Sequence, residues 1–142
     1  MKYVCDAPGG RTWFRLETEA EAAKESQLMN HAVEKYFRQE EAKAHASFTP
    51  ASQRFIEQEI GRKAHVQRAM PWFLTLREGD GTPLATAMLP PGGQEDPGFR
   101  IIIVGSGNAD PYHEHGESIE ALGAHLGLEL DRVRCYPYQR GG

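Results

Sequence analysis

The sequence predicts a small α+β protein in which helices cover one mostly antiparallel sheet. Two groups of short segments rich in β-branched and aromatic residues are separated by Gly- and Pro-containing turns, which is typical of hairpins. Between the two groups lie longer segments whose apolar residues recur at helical spacing. Strands that come in groups, with the helices between and after them, are the pattern of an α+β domain.

The chain opens with a predicted hairpin followed by a helix. Two β-prone segments, 2–6 and 11–17, flank Ala7-Pro-Gly-Gly10, which has the composition of a turn. The next residues, Thr18-Glu-Ala-Glu21, match a capping box, in which both side chains bond free backbone amides. One long helix ending near Ser47 is therefore predicted. Its apolar residues recur at helical spacing: Ala22, Met29, Val33, Tyr36 and Phe37.

A second helix is predicted to start at Thr49-Pro50, with Thr49 as its cap and Pro50 at the first helical position. Its apolar face consists of Phe55, Ile56 and Ile60. Gly61 is a candidate end for this helix. Residues 62–70 fit either a helix or a strand, so their secondary structure stays open.

The second half of the chain predicts three strands, a helix and a last strand. Segments 72–76 and 84–89 flank Asp80-Gly81, which supplies the positive φ angles of a tight turn. After a Pro- and Gly-rich loop, segment 99–104 is apolar on both faces, which favours a central position in the sheet. The remaining elements are a helix over 118–126 with Gly127 as its stop, and a strand over 132–136.

The resulting order, ββ-α-α-βββ-α-β, predicts one domain over residues 1–142. It is similar to the order of PAS-like sensory folds and to that of the acetyl-CoA-dependent acetyltransferase fold, and these analogies concern the fold alone. The terminal Arg140-Gly-Gly142 resembles the tail of ubiquitin-like carriers, although a frayed terminus explains it more simply.

Bulk composition narrows the classes of partner. The net charge of -4 argues against nucleic acid or an anionic membrane as the main partner, because both require an excess of basic residues. No apolar stretch is long enough to span a bilayer, and the N-terminus lacks the apolar segment of a signal peptide. Cys5 and Cys135 are expected to be buried thiols, which together with the missing signal predicts a cytoplasmic protein.

The best candidate metal site is the polar segment after the apolar strand. His113 and His115 alternate along it, and on an extended segment both imidazoles point to the same side. With Asp110 or Glu117 they would form a site for a divalent transition metal. The competing interpretation is a solvated polar loop whose carboxylates favour the N-terminus of the next helix.

A divergent acyltransferase is a third hypothesis, because the element order fits. The acetyltransferase fold binds the cofactor pyrophosphate on a Gly-rich turn after its central strand. Here the corresponding segment begins Gly105-Ser-Gly107 and continues into several carboxylates with no Arg or Lys. Negative charge at a pyrophosphate site is unfavourable, so no cofactor is expected.

The sequence as a whole therefore predicts a binding or regulatory module rather than an enzyme, with a protein or a small molecule as its partner. Trp13, Trp72 and Phe99 are candidates for the ligand or partner surface, although aromatic residues on strands belong first to the core. A homodimer is expected on the general ground that symmetric dimers are common. The alternative is a metal-binding protein or a metal-dependent enzyme using the segment from Asp110 to Glu117.

Overall fold

The computed structural model describes residues 1–136 and Tyr138, so the terminal Arg140-Gly-Gly142 lies outside the described residues. One antiparallel sheet contains five strands in sequential order: β1 (Lys2–Ala7), β2 (Arg11–Leu16), β3 (Trp72–Arg77), β4 (Pro83–Leu89) and β5 (Ile102–Gly105). Its helices in the described part are α1 (Glu19–Met29), α2 (Val33–Ala46), α3 (Phe55–Ala69) and α4 (Tyr112–Leu126). The predicted α+β class is confirmed. Within the described residues, none of the helices combines the length and the apolar character that a membrane crossing needs.

The sheet separates two apolar clusters, one on each face. Along β3, Leu74 and Leu76 belong to the cluster under α4, whereas Phe73 belongs to the cluster under α1, α2 and α3. This alternation follows from the twofold side-chain period of a strand. We call the two sides the α4 face and the α1–α3 face. Cys5 and Cys135 lie in the α4-face cluster as buried free thiols, which confirms their predicted state.

The helical region differs from the prediction in having three helices instead of two. The capping box at Thr18 and Glu21 is present, but the predicted long helix breaks after Met29. Asn30 there adopts a left-handed conformation with φ 53°, a conformation that Asn tolerates better than most residues. The Ser26 hydroxyl then accepts a hydrogen bond from the Glu34 amide at 2.8 Å, which satisfies a free donor at the start of α2.

Helix α3 begins at Phe55 rather than at Thr49-Pro50, and it continues through Gly61. The predicted start is wrong because the chain before Phe55 is held by a local turn, in which the Ser52 hydroxyl accepts from the Arg54 amide at 3.1 Å. The open question over 62–70 is answered as helix up to Ala69.

Strand β5 is an edge strand, so its predicted central position is wrong. Among the strands, it pairs only with β4. The predicted last strand over 132–136 is also wrong. Arg132–Arg134 form a 3-10 turn, followed by one bridge in which the Tyr136 amide donates to the Ile101 carbonyl at 2.8 Å. This bridge covers part of the open edge of β5, as edge strands generally require.

Helix α4 lies on its face of the sheet through a closely packed contact. It starts at Tyr112, six residues before the predicted start at Ser118, and ends at Gly127 as predicted. The fully buried Trp13 indole donates to the Ser118 carbonyl at 2.8 Å, which ties β2 to the helix. A Cβ atom on Gly123 would lie 2.7 Å from the Leu128 carbonyl oxygen, so the chain after α4 approaches the helix backbone directly.

Candidate functional site

The predicted metal ligands lie on and before the first turns of α4, and the extended conformation expected for them is wrong. On a helix, residues two apart point to roughly opposite sides, and His113 is exposed whereas His115 is buried. Asp110 accepts hydrogen bonds from the Tyr112 amide at 3.0 Å and from Arg132 at 2.8 Å, and Glu117 is exposed. Within residues 1–136 and Tyr138, no group of three or more His, Cys, Asp and Glu side chains is placed to hold a metal ion. The metal site stays a prediction from the sequence.

His115 has a different character from the one that the sequence suggested. Its backbone, with φ −125°, departs from helical geometry and kinks α4. Burial lowers the pKa of His115, and the positive charge of Arg11 lowers it further. Its buried Nδ1 has no hydrogen-bond partner among the described residues. Because this group is favoured in its neutral form inside the protein, it is a structural histidine of the α4 face.

The three aromatic candidates for the ligand or partner surface, Trp13, Trp72 and Phe99, lie in different environments. Trp13 is fully buried in the core, and Phe99 packs against the same α4-face cluster from just before β5. Trp72 is only partly buried and lies under the Arg15 guanidinium, whose carbon is 4.8 Å from the ring centroid. The three rings therefore lie in separate places: Trp13 is in the core, and Trp72 and Phe99 are both partly exposed.

A buried polar network on the α1–α3 face was missed from the sequence. The Glu25 carboxylate is fully buried, where it accepts from Arg77 Nη2 at 2.7 Å and from the Thr86 hydroxyl at 2.5 Å. Glu25 stands between Ala22 and Met29 on the inward side of α1, and all three are buried. A carboxylate at an inward position of an apolar helical pattern was the signal that could have revealed this ion pair.

Hydrogen bonds extend this network to His31. Because the Thr86 hydroxyl donates its only proton to Glu25, its oxygen accepts from His31 Nε2 at 2.8 Å. His31 Nδ1 then accepts from the Val33 amide at 3.4 Å, which assigns the neutral tautomer. Burial lowers the pKa of His31, and the negative charge of Glu25 partly offsets this. Every member of this chain is satisfied by protein groups, so the network fixes how α1 lies on β3 and β4.

A groove beside His31 is too small for a whole organic ligand. It is lined by His31, Val33, Tyr36, Thr86, Ile102 and Val104, and its volume is about 50 Å³. An engineered cavity of about 150 Å³ is needed to hold benzene, and binding pockets for larger molecules have roughly 300 Å³ or more. The polar network is therefore next to a surface depression, and it does not form the wall of a ligand site.

The most unusual surface of the molecule is on α3. None of its fifteen residues, all of which the structure describes, is buried. Three large apolar side chains in its first half, which we call the α3 stripe, are 74%, 73% and 65% exposed: Phe55, Ile56 and Ile60. The sequence identified this apolar face, and in the structure it points into solvent.

Helix α3 contacts the rest of the protein through its second half. Val66 and Ala69 pack against the α1–α3-face cluster. The ring of Phe48 lies close to Gly61, where a Cβ atom would be 3.3 Å from it, and His65 Nε2 is 2.7 Å from the Ser47 hydroxyl. These contacts use the apolar Val66 and Ala69 together with Gly61 and His65 on the inner side of the helix. The apolar side chains of the first half consequently face solvent.

Acidic and basic residues are unevenly distributed along the exposed side of α3. Ile56 and Ile60 are one turn apart, and Lys63 and Gln67 continue the same line, both exposed. Glu57 and Glu59 flank the apolar end, whereas Lys63 and Arg68 lie toward the other end. The apolar end is thus more acidic and the following turns are more basic.

Comparison of the chain with protein-family models, with curated proteins and with solved structures gave no match. Among the surfaces of the described residues, the α3 stripe has the most exposed large apolar side chains. An open hollow of about 500 Å³ lies over Phe55 and Ile56, between Arg54 and Glu57.

Proposed function

We propose that this protein is a protein-binding module that associates through the α3 stripe, and that its partner is a second copy of the same chain. The observation that carries this proposal is the exposure of Phe55, Ile56 and Ile60 on a helix without any buried residue. A contiguous exposed apolar group of this kind marks an interaction surface.

The expected strength of the association follows from the side chains involved. Complete burial of one such side chain contributes about 1.5–3 kcal/mol, and two copies supply six of them. Association itself costs of order 4–15 kcal/mol, so only part of this gain remains as binding free energy. The dimer is therefore reversible, and a net gain of about 8 kcal/mol corresponds to a dissociation constant in the micromolar range.

The charges of α3 favour a second copy in antiparallel orientation. If the twofold axis passes level with Ile60, the two Ile60 side chains meet at the axis and Ile56 of each copy lies one turn from Ile60 of the other. Glu59 of one copy then lies within one turn of Lys63 of the other, on the same side of the interface. An isologous interface of this kind closes after two subunits, which is the usual outcome for soluble homo-oligomers.

The proposed module works in the cytoplasm, where a reducing environment keeps the buried thiols Cys5 and Cys135 unpaired. Its role is binding or regulation, because the α3 stripe provides apolar contact area and no group suited to bond chemistry. Dimerisation would present two identical sheets on either side of the α3 pair.

Sedimentation velocity over a range of concentrations tests the proposal. The wild-type chain is expected to shift from monomer to dimer in the micromolar range, and Ile60→Asp is expected to stay monomeric because it places a charge inside the interface. Leu28→Asp is the matched control, since Leu28 is a half-exposed side chain on α1 outside the stripe. This control should dimerise like the wild type.

A wild-type chain that stays monomeric at high micromolar concentration would overturn the proposal. An equal loss of dimer in Ile60→Asp and Leu28→Asp would also contradict it, because the α3 stripe would then have no special role. Circular dichroism of both variants confirms that each is folded.

A further inference from the structure

The end of the sheet beyond α4 carries a second feature, independent of the α3 stripe. A cavity of about 180 Å³ lies there, bordered by residues of β1, β2, β3 and the last turn of α4. Three basic side chains line it: Lys2, Arg15 and His125. No carboxylate lines it, in a protein whose net charge is -4.

The strand register explains why these side chains meet. Lys2 of β1 and Arg15 of β2 are direct partners in the antiparallel ladder, so both project from the same face. Arg15 is also paired with Leu74 of β3, and Leu74 belongs to the α4 face. Trp72, two residues earlier on β3, therefore lies on this face as well. Because α4 ends at Leu126, it leaves these strand ends uncovered.

Arg15 and Trp72 form a rigid floor for the cavity. The Arg15 guanidinium carbon is 4.8 Å from the centroid of the Trp72 ring, a cation–π distance. The turn at Gly93 also approaches the indole closely, because a Cβ atom there would be 2.9 Å from the ring. Trp72 is thus held in place by a backbone turn and a guanidinium.

Arg15 lacks the partners that a partly buried guanidinium normally has. Its Nε is buried without a hydrogen-bond partner, and it forms no ion pair with any residue in the described ranges. Burial lowers the pKa of Arg15, and the nearby exposed Glu17 acts in the opposite direction. The side chain stays charged, because an arginine is not deprotonated in proteins. A desolvated charge of this kind is stabilised by a counter-ion with hydrogen-bond acceptors.

From these observations we propose that the cavity binds a small organic oxyanion. The charged group of the ligand, a carboxylate or a phosphate, bonds to Arg15 and Lys2, and its apolar part packs against Trp72 and Leu126. The volume fits one ring-sized group, since about 150 Å³ accommodates benzene. Arginine presents a planar fork of donors that matches both carboxylate and phosphate oxygens.

Two-dimensional ¹H–¹⁵N NMR of the full chain tests this with benzoate and phenyl phosphate as probes and neutral benzamide as the control. The sequence has two tryptophans, and the indole of Trp13 donates to Ser118 inside the core, so its signal is an internal reference. Millimolar benzoate or phenyl phosphate should shift the Trp72 indole signal saturably, while the Trp13 signal and the benzamide spectrum stay unchanged. A response to only one of the two anions identifies the carboxylate or the phosphate as the preferred group.

The Arg15→Gln variant should weaken binding at least about tenfold, because a charge-assisted hydrogen bond is lost. Lys2→Gln should weaken it less, and it provides the test on a fully exposed side chain if Arg15→Gln does not fold. Lys24→Gln on α1 removes an exposed charge far from the cavity and should leave the affinity unchanged. If Arg15 only places a positive charge near the end of α4 and binds no ligand, neither benzoate nor phenyl phosphate will shift the Trp72 signal. That result, or equal shifts with benzamide, would overturn the proposal.

Discussion

Helices α3 and α4 have the same length of fifteen residues and lie on opposite faces of the same sheet, yet they are held in different ways. Helix α4 buries His115, Ser118, Ile119, Leu122 and Gly123, whereas α3 buries no residue. In α4 the apolar side chains meet the sheet. In α3 the side that meets the protein carries Val66, Ala69 and Gly61, and the largest apolar side chains face away.

The difference shows what an apolar helical pattern does and does not indicate. The pattern identifies the face that avoids water, but the partner that covers it can be the same domain or another molecule. For α4, the Trp13 indole and the backbone around Leu128 provide the partner within the chain. For α3, we infer that the second copy provides it.

The largest expected effect comes from an Ile→Ala substitution made once in α4 and once in α3. Ile119→Ala in α4 should lower the free energy of unfolding by about 2–5 kcal/mol, because it leaves a cavity in a fully buried position. Ile60→Ala in α3 should change it by no more than about 0.5 kcal/mol, because Ile60 is 65% exposed. Urea unfolding at a concentration below dimerisation measures both. Equal effects would show that α3 is packed like α4.

Removal of a carboxylate compares the attachment of α1 with that of α3. Glu25→Gln should destabilise the protein by about 3 kcal/mol, since it leaves the Arg77 charge without its partner in a buried network. The control Glu59→Gln removes an exposed pair with Arg62 at 3.9 Å, and we expect a change below about 1 kcal/mol. Thermal unfolding of the two variants measures both changes. A larger loss of stability in Glu59→Gln than in Glu25→Gln would contradict this ranking.

A glycine substitution should have opposite signs in the two helices. Gly123→Ala should destabilise by about 1–3 kcal/mol, because the new methyl group would meet the Leu128 carbonyl at 2.7 Å. Gly61→Ala should stabilise by about 0.5–1 kcal/mol, because alanine favours the helix and the end of the Phe48 ring can move. Denaturant midpoints decide the sign directly. A destabilising Gly61→Ala would mean that α3 is seated more rigidly than we describe.

The smallest expected effect concerns pH. Burial lowers the pKa of His31 below its unfolded value, so below the unfolded pKa of about 6.5 the unfolded chain binds more protons than the folded one. The contribution of His31 is therefore fully present above that pH and is lost as the pH falls through the folded pKa. His115 acts with the same sign from the α4 face. In unfolding measurements between pH 7 and 5, His31→Asn should reduce the slope with pH. An unchanged slope would contradict the buried, neutral state of His31.

Local signals predicted much of this fold. The capping box at Thr18, the turn at Asp80-Gly81 and the Gly127 stop all occur where the sequence placed them, because each depends on neighbouring residues. The division of the long helix at Asn30 was missed, since its apolar spacing continues across the break. The residues of β5 do not reveal its edge position. A strand whose two faces are both covered by other side chains can still lack a neighbouring strand on one edge.

The candidate sites depend on long-range contacts and were harder to predict. The pair of Glu25 with Arg77 joins residues that are 52 positions apart, and Arg15 lies over a tryptophan on another strand. The metal hypothesis assumed an extended segment around His113, and the early start of α4 removed that assumption. For the α3 stripe, the sequence identified the residues but did not indicate that they face solvent. The sequence does not show directly that a second copy of the chain would bury these side chains.

An isotope-filtered NOE experiment on a mixture of labelled and unlabelled chains tests the central claim most directly, because it detects only contacts between two copies. We predict intermolecular contacts of the Ile56 and Ile60 methyl groups with each other and with the Phe55 ring, together with their loss in Ile60→Asp. Intermolecular contacts located elsewhere, or none at concentrations where the chain is dimeric, would contradict the claim that the α3 stripe is covered by a second copy.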